Sequence, residues 1–181
     1  MVSHGQRLNN RREDILEVIN KRRSVRSFND KPISDDLLEL IVRAGMQAPT
    51  AVNQQANCFF VIRKKENLLK IKSELTNASM FDTATAAIVV LIDKSKLKRE
   101  HMKSQDAASA TTNILLAATN LGIGSCWCGI YPNQDRMDKL TEIINVSEKY
   151  IVFSLIALGY PKDENALRFI DRYDDRKVFF D

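Results

Sequence analysis

Residues 20–30, NKRRSVRSFND, crowd Lys21, Arg22, Arg23 and Arg26 around one small hydroxyl, Ser24, in a chain whose 27 basic and 23 acidic side chains leave a net charge of only +4. Guanidinium groups offer a rigid fork of donors to phosphate oxygens, and a serine hydroxyl adds a short neutral donor. In an extended stretch Arg22, Ser24 and Arg26 project to one side while Arg23, Val25 and Ser27 face the other; a helical end would divide them differently. The first set is what one bound anion requires. Three anionic or regulatory roles are open to it: a nucleic-acid backbone, a kinase reading basic residues ahead of a serine, and the phosphate of a small cofactor. A solvated charged face is the bland alternative. Nucleic-acid binding asks for an extended basic face with aromatic or groove-entering elements beside it. Here acids are scattered among the bases, and Trp127 and most phenylalanines sit in apolar runs. A phosphate on Ser24 would occupy the very arginines a cofactor needs.

A second polar cluster is APTAVNQQ, residues 48–55, which gathers Thr50, Asn53, Gln54 and Gln55. Amides that both donate and accept suit the edge of a heterocycle with alternating N–H and C=O groups. A merely solvated loop is the competing reading. The glycine-containing GIGSCWCG, residues 122–129, is not a dinucleotide fingerprint, since Trp127 stands where the third glycine belongs and the segment enters a strand instead of opening a helix. Cys128 has no adjacent histidine base to make it a nucleophile. Cys58, Cys126 and Cys128 are odd in number, which gives no disulfide framework and reads as three buried or half-buried thiols. His4 and His101 lie far along the chain from the Cys126/Cys128 pair, and its one-residue gap is not zinc spacing, so no metal site is expected.

Elements that could position these residues follow from periodicity. Helices are predicted from about Glu13 to Lys21, with Ile15, Val18 and Ile19 on one face, and after KPIS, with Ser34 as cap and an end near Pro49. Strands are predicted at CFFVIR (58–63), AAIVVLID (86–93), within GIGSCWCGI (122–130), which reads as a turn into a strand, and at Tyr150 to Leu158. Further helices are expected around Glu66 to Leu75, from Ser104 to Leu121, and from Asn133 through Met137, Leu140 and Ile144, with residues 76–85 a loop. Such an order implies an α+β or α/β sandwich. At 181 residues and 44% hydrophobic content the chain reads as one domain with a sizeable core, and no apolar run reaches bilayer length. The polar N-terminus does not read as a signal peptide, so a cytoplasmic protein with no membrane partner is expected. Val178, Phe179 and Phe180 close a weakly periodic tail, residues 162–181, which is expected to pack on another surface, a second subunit being one candidate.

Four segments in order resemble the FMN-dependent nitroreductase family: RRSVRSF with KPIS after it; APTAVNQ; QDAASATTNILLAATNLGIGSCWCG, similar to that family's long central helix and following strand; and a late LGYP with a basic tail. The resemblance implies an α+β nitroreductase-like fold, a central and mostly antiparallel sheet flanked by helices, in an intertwined homodimer with FMN at the subunit interface. It implies that Arg22 and Ser24 hold the FMN phosphate, that Arg23 lies along phosphate and ribityl chain, and that Arg26 reaches the N1/O2 edge of the ring. Pro49, Thr50, Ala51, Asn53 and Gln55 would come from the partner subunit, backbone around Cys128 and Gly129 would lie near N5, and Arg172 would return to the phosphate. NAD(P)H would be the co-substrate and a nitroaromatic, quinone or related small molecule the acceptor, in ping-pong order. A flavin-storing or flavin-sensing protein with little turnover is the alternative. Ala56 and Asn57 stand where many members carry Pro-Trp, and the short stretch before the central helix implies a reduced lid.

Overall fold

A computed structural model of the protein describes residues 15–181. The expected start of the first helix at Glu13, His4 and the polar N-terminus lie outside the described residues. The strands are β1 (Asn57–Ile62), β2 (Ala86–Asp93), β3 (Gly124–Gly129) and β4 (Tyr150–Gly159), ordered β1-β2-β4-β3 with every ladder antiparallel. Strand β2 is apolar at nearly every position and buried at all of them, as a central strand covered on both faces must be.

The helices are α1 (Ile15–Lys21), α2 (Asp35–Met46), α3 (Lys65–Glu74), α4 (Lys103–Asn120) and α5 (Gln134–Ile144). Alternation along β2 divides the core: Ala87, Val89 and Leu91 join Leu68 and Ile71 of α3 and Leu140 and Ile144 of α5. Ala86, Ile88, Val90 and Ile92 join Leu38 and Ile41 of α2 and Ala107, Ile114 and Ala118 of α4. The result is a helix–sheet–helix sandwich, the α+β arrangement the sequence predicts. Among the described residues no helix is long and apolar enough to cross a membrane.

The sheet is irregular at one place. The β2–β4 ladder pairs Val90 with Ser154 but Leu91 with Val152, so Phe153 is an extra, unpaired residue. Ser154 therefore reaches α4, where its hydroxyl lies 2.9 Å from that of Thr111, while Phe153 also joins the α4 side of the core and stacks on Tyr131 at 5.9 Å between ring centres.

Several expectations shift in detail. Ser34 occupies the N-cap of α2, but its side chain makes no capping bond; Asp35 and Asp36 supply the favourable charge there. Residues 76–85 contain a short 3-10 turn, Ser79–Asp82, whose Met80 and Phe81 are core side chains. A polar run thus carries two buried anchors. On α1 only Val18 is buried, whereas Ile15 and Ile19 are 61% and 47% exposed. The end of the tail is open too, with Phe179 and Phe180 at 90% and 91%.

Candidate functional site

The arginine stretch is threaded along the edge of the sheet just beyond α1, whose last turn still holds the Arg22 N–H through Val18 O (3.0 Å). Val25 N–H donates to Ser125 O at 2.9 Å, and Asn29 N–H to Tyr160 O at 2.9 Å. Val25 and Phe28 turn inward and are 5% and 3% exposed. Two glycines make room for them: a Cβ on Gly124 would stand 2.9 Å from the Val25 side chain, and one on Gly159 would stand 2.7 Å from Phe28 Cβ. Burying Val25 and Phe28 turns Arg26, which lies between them, toward solvent.

There Arg22, Arg23, Ser24 and Arg26 line a cavity of about 530 Å³ whose other wall is the returning tail, with Asp163, Asn165, Arg168 and Arg172. Arg23 departs from the expected alternation. Instead of facing away, it shares the cavity, donating from Nη1 to Arg22 O at 2.5 Å while its Nε and Nη2 are buried without a partner. Burial, and then the like charges of Arg172, Arg22 and Arg168, hold its pKa below the ordinary arginine value. A guanidinium with two orphaned donors among like charges is costly until an anion supplies acceptors. The residues therefore fit a phosphate. Arg168 was not singled out in the sequence; its signal was the four-residue spacing from Arg172 in ALRFIDR.

Arg26 is exposed, with Nη1 3.4 Å from Ser24 O, and it lies close enough to β3 for its charge to act on Cys126 and Cys128. The neighbouring Cys128 thiol lowers Cys126 below the ordinary thiol range, against the opposing effect of burial and with help from Arg26. Cys128, whose Sγ lies 3.9 Å from Cys126 O and 3.8 Å from Met80 Sδ, is raised by the neighbouring Cys126 and by burial. All three cysteines are free, Cys58 half-buried and the other two buried, as expected. Gly129, at the end of β3, is exposed, and a Cβ placed there would meet nothing within 4 Å. Its backbone is open to an approaching ligand.

The loop 49–55 is built differently. It carries left-handed backbone at three residues other than glycine, Val52 (φ 46°), Asn53 (φ 51°) and Gln55 (φ 48°), a conformation that needs external support. Asp106, in the first turn of α4 and 6% exposed, provides it. Its Oδ1 accepts from the Ala51 N–H at 3.0 Å and its Oδ2 from Gln54 Nε2 at 2.6 Å. Gln54, 4% exposed, then accepts at Oε1 from the N–H groups of Lys98 (2.9 Å) and Arg99 (3.0 Å). Thr50 Oγ1 accepts from the Gln55 N–H at 3.1 Å, and Asn57 Nδ2 donates to Asp106 O at 3.2 Å. Pinned this way, the loop leaves Pro49, Asn53 and Gln55 exposed and Thr50 and Ala51 half-buried. A separate cavity of about 240 Å³ is lined by Gly45, Met46, Ala48, Thr50, Gln55 and Asn57, and Asn57 Oδ1 is buried without a partner. Asp106 and Gln54 are positioning residues missing from the predicted set.

The structure thus brings Arg22, Arg23, Ser24, Arg26 and Arg172 together, with Cys128 and Gly129 on the strand beside Arg26. Pro49, Thr50, Ala51, Asn53 and Gln55 form a second group, and the two cavities share no lining residue. Among the described residues no group of His, Cys, Asp and Glu is placed to hold a metal ion.

Fold and site define an α+β protein with an arginine-lined cavity at one sheet edge and an amide-rich loop pinned by Asp106. A family model described as "Putative TM nitroreductase" matches residues 14–178, and the chain belongs to the nitroreductase family. It is 46% identical over 153 residues to an Archaeoglobus fulgidus protein named "Putative NADH dehydrogenase/NAD(P)H nitroreductase", spanning 84% of this chain and 88% of that one. It is similar to a solved structure from Clostridium acetobutylicum described as a "Putative NADH Oxidase", with TM-score 0.86, 38% identity, and coverage of 90% of this chain and 97% of the other. A Desulfovibrio desulfuricans nitroreductase solved in complex with FMN superposes with TM-score 0.79 at 25% identity, covering 94% and 98% of the two chains.

Proposed function

We propose that this chain is an FMN-dependent oxidoreductase that draws hydride from NAD(P)H and passes reducing equivalents to nitroaromatic, quinone or related acceptors in ping-pong order. The observation that carries the reading is Arg23, whose two orphaned donors stand among Arg22, Ser24, Arg168 and Arg172. When bound, FMN supplies the hydride acceptor and donor. The chain's own residues bind and orient. Arg22, Arg23, Ser24, Arg168 and Arg172 take the phosphate, whose oxygens satisfy the buried Arg23 donors. Arg26 is assigned to the N1/O2 edge of the ring, where a cation favours negative charge and raises the reduction potential. The backbone around Cys128 and the exposed Gly129 is assigned to N5.

The working unit in this reading is a homodimer in which Pro49, Thr50, Ala51, Asn53 and Gln55 complete the partner's site. Two features support it: the separation of the cradle from the loop within one protomer, and the exposure of Ile15, Leu16, Ile19, Phe179 and Phe180. Residues 1–181 then form one domain, whose tail, 162–181, reaches the partner at its apolar end.

The test is the visible spectrum of the purified protein with added FMN, followed by anaerobic addition of NADH or NADPH. Flavin bands that bleach with either nucleotide are expected; a colourless protein that takes up no FMN overturns the proposal. A yellow protein that neither nucleotide reduces points instead to storage or sensing. Arg22→Ala should mainly weaken FMN retention, whereas Arg26→Ala should mainly lower the flavin potential and the hydride-transfer rate.

A further inference from the structure

The cavity around Arg23 has two walls of the same sign. Arg22, Arg23 and Arg26 stand on the sheet edge and Arg168 and Arg172 on the tail, with Asp163 the one acid among the lining residues. None of the five arginines is in an ion pair among the described residues. The tail is fastened where it begins: Lys162 N–H donates to Ser27 O at 3.1 Å, and Ala166 and Leu167 pack against the core. Beyond Leu167 the fastening stops. Phe169, Ile170, Arg172 and Tyr173 are exposed, and every hydrogen bond and ion pair that residues 169–181 make among the described residues is with one another. Across the cavity guanidinium faces guanidinium, with no bond holding the far wall in place.

We infer that the tail is a strap closed by an anion: a phosphomonoester in the cavity draws Arg168 and Arg172 toward the arginine stretch and so fixes residues 168–177 over it. The inference rests on the flavin reading above and adds a conformational step to its cofactor binding. An anion favours whichever arrangement gives it more donors. With the strap away, the sheet edge offers Arg22, Arg23, Ser24 and Arg26; with the strap down, two further guanidinium forks join them. Without an anion the same two charges oppose closure, since they meet only their like. Entry to the cavity therefore precedes closure of the strap, and release waits on its opening.

Limited digestion with chymotrypsin reads the strap at Phe169 and Tyr173, which lie in it without lining the cavity. Cleavage there tracks the population of the open form. Saturating inorganic phosphate and FMN should each slow it at least about tenfold relative to sodium chloride of equal ionic strength, the order expected of one charge-assisted contact. Riboflavin, which has the ring without the phosphate, should not. In Arg172→Gln, at an exposed position, most of the protection should be lost. Equal protection by riboflavin or by chloride, or full protection in Arg172→Gln, overturns the inference. An FMN-loaded, yellow protein cut as fast as the FMN-free one sinks the strap and leaves the flavin reading standing. Protection by phosphate in a protein that takes up no FMN does the reverse.

Discussion

Asp106→Asn is a sharp test of how the loop 49–55 keeps its shape. The wild-type side chain only accepts, taking the Ala51 N–H on one oxygen and the Gln54 amide on the other. An asparagine can still accept from Ala51, but it presents NH2 to the NH2 of Gln54. Turning Gln54 over cures that clash and creates another, because its NH2 then faces the N–H groups of Lys98 and Arg99. Whichever way the amides settle, at least one buried donor is orphaned, at about 1–3 kcal/mol. That penalty falls on a loop already holding three left-handed residues at roughly 1 kcal/mol each. Hydrogen exchange at the Ala51 amide reads it directly: a loss of 1–3 kcal/mol speeds local opening by roughly 5- to 150-fold. Combining Asp106→Asn with Gln54→Glu reverses the polarity of the contact between the two side chains. The new carboxylate accepts from Lys98 and Arg99 as well as from the asparagine, so protection should return. Unchanged exchange in the single variant, or a double variant no better than the sum of its parts, refutes the account.

Two other substitutions have outcomes fixed by close contacts. Gly159→Ala places a methyl 2.7 Å from Phe28 Cβ, which should lower stability by about 1–3 kcal/mol in urea titration and weaken FMN retention by shifting the arginine stretch; unaltered values for both would remove the close-approach argument. The Asp93 carboxyl is held below its ordinary value, chiefly by the Ser95 hydroxyl at 2.6 Å. A depressed folded-state pKa stabilises the protein above the ordinary carboxylate range, near 3.8, and that contribution is lost as pH falls through the folded value. Ser95→Ala should accordingly reduce stability more at pH 7 than at pH 2, as measured by urea midpoints.

Much of the fold was legible because the segments are locally consistent. AAIVVLID is β2 residue for residue, and the alanine-rich stretch is α4 within one residue at either end. The gathering of Arg22, Arg23, Ser24 and Arg26 at one cavity was legible as well, since like charges crowd there within a few positions of the chain. What could not be read was contact at a distance. Arg23 turned toward the cradle against the simple alternation of an extended strand, because its guanidinium is drawn onto the Arg22 carbonyl. Arg168 entered from a tail with weak periodicity. Asp106 had a faint signal, the one acid of an alanine-rich helix, but its partners lie 52 and 55 residues away. Buried Met80 and Phe81 in a polar run show the same limit: a turn without periodicity can still anchor the core.

The extra residue in β4 bears on the ancestry of the strand. Val152 and Leu155 face α3 and α5, Ile151 and Ser154 face α4, and removing Phe153 alone would leave that alternation regular with no other side chain changing sides. Strand β4 thus has the form of an ordinary strand into which one codon has been inserted without penalty to the pattern on either flank. What the insertion added is a ring against Tyr131 and Trp127 and a carbonyl that accepts the Tyr131 N–H at 2.9 Å. Among homologous sequences, a one-codon gap at this place should therefore be tolerated, accompanied by change at Tyr131 and Trp127 and by little else.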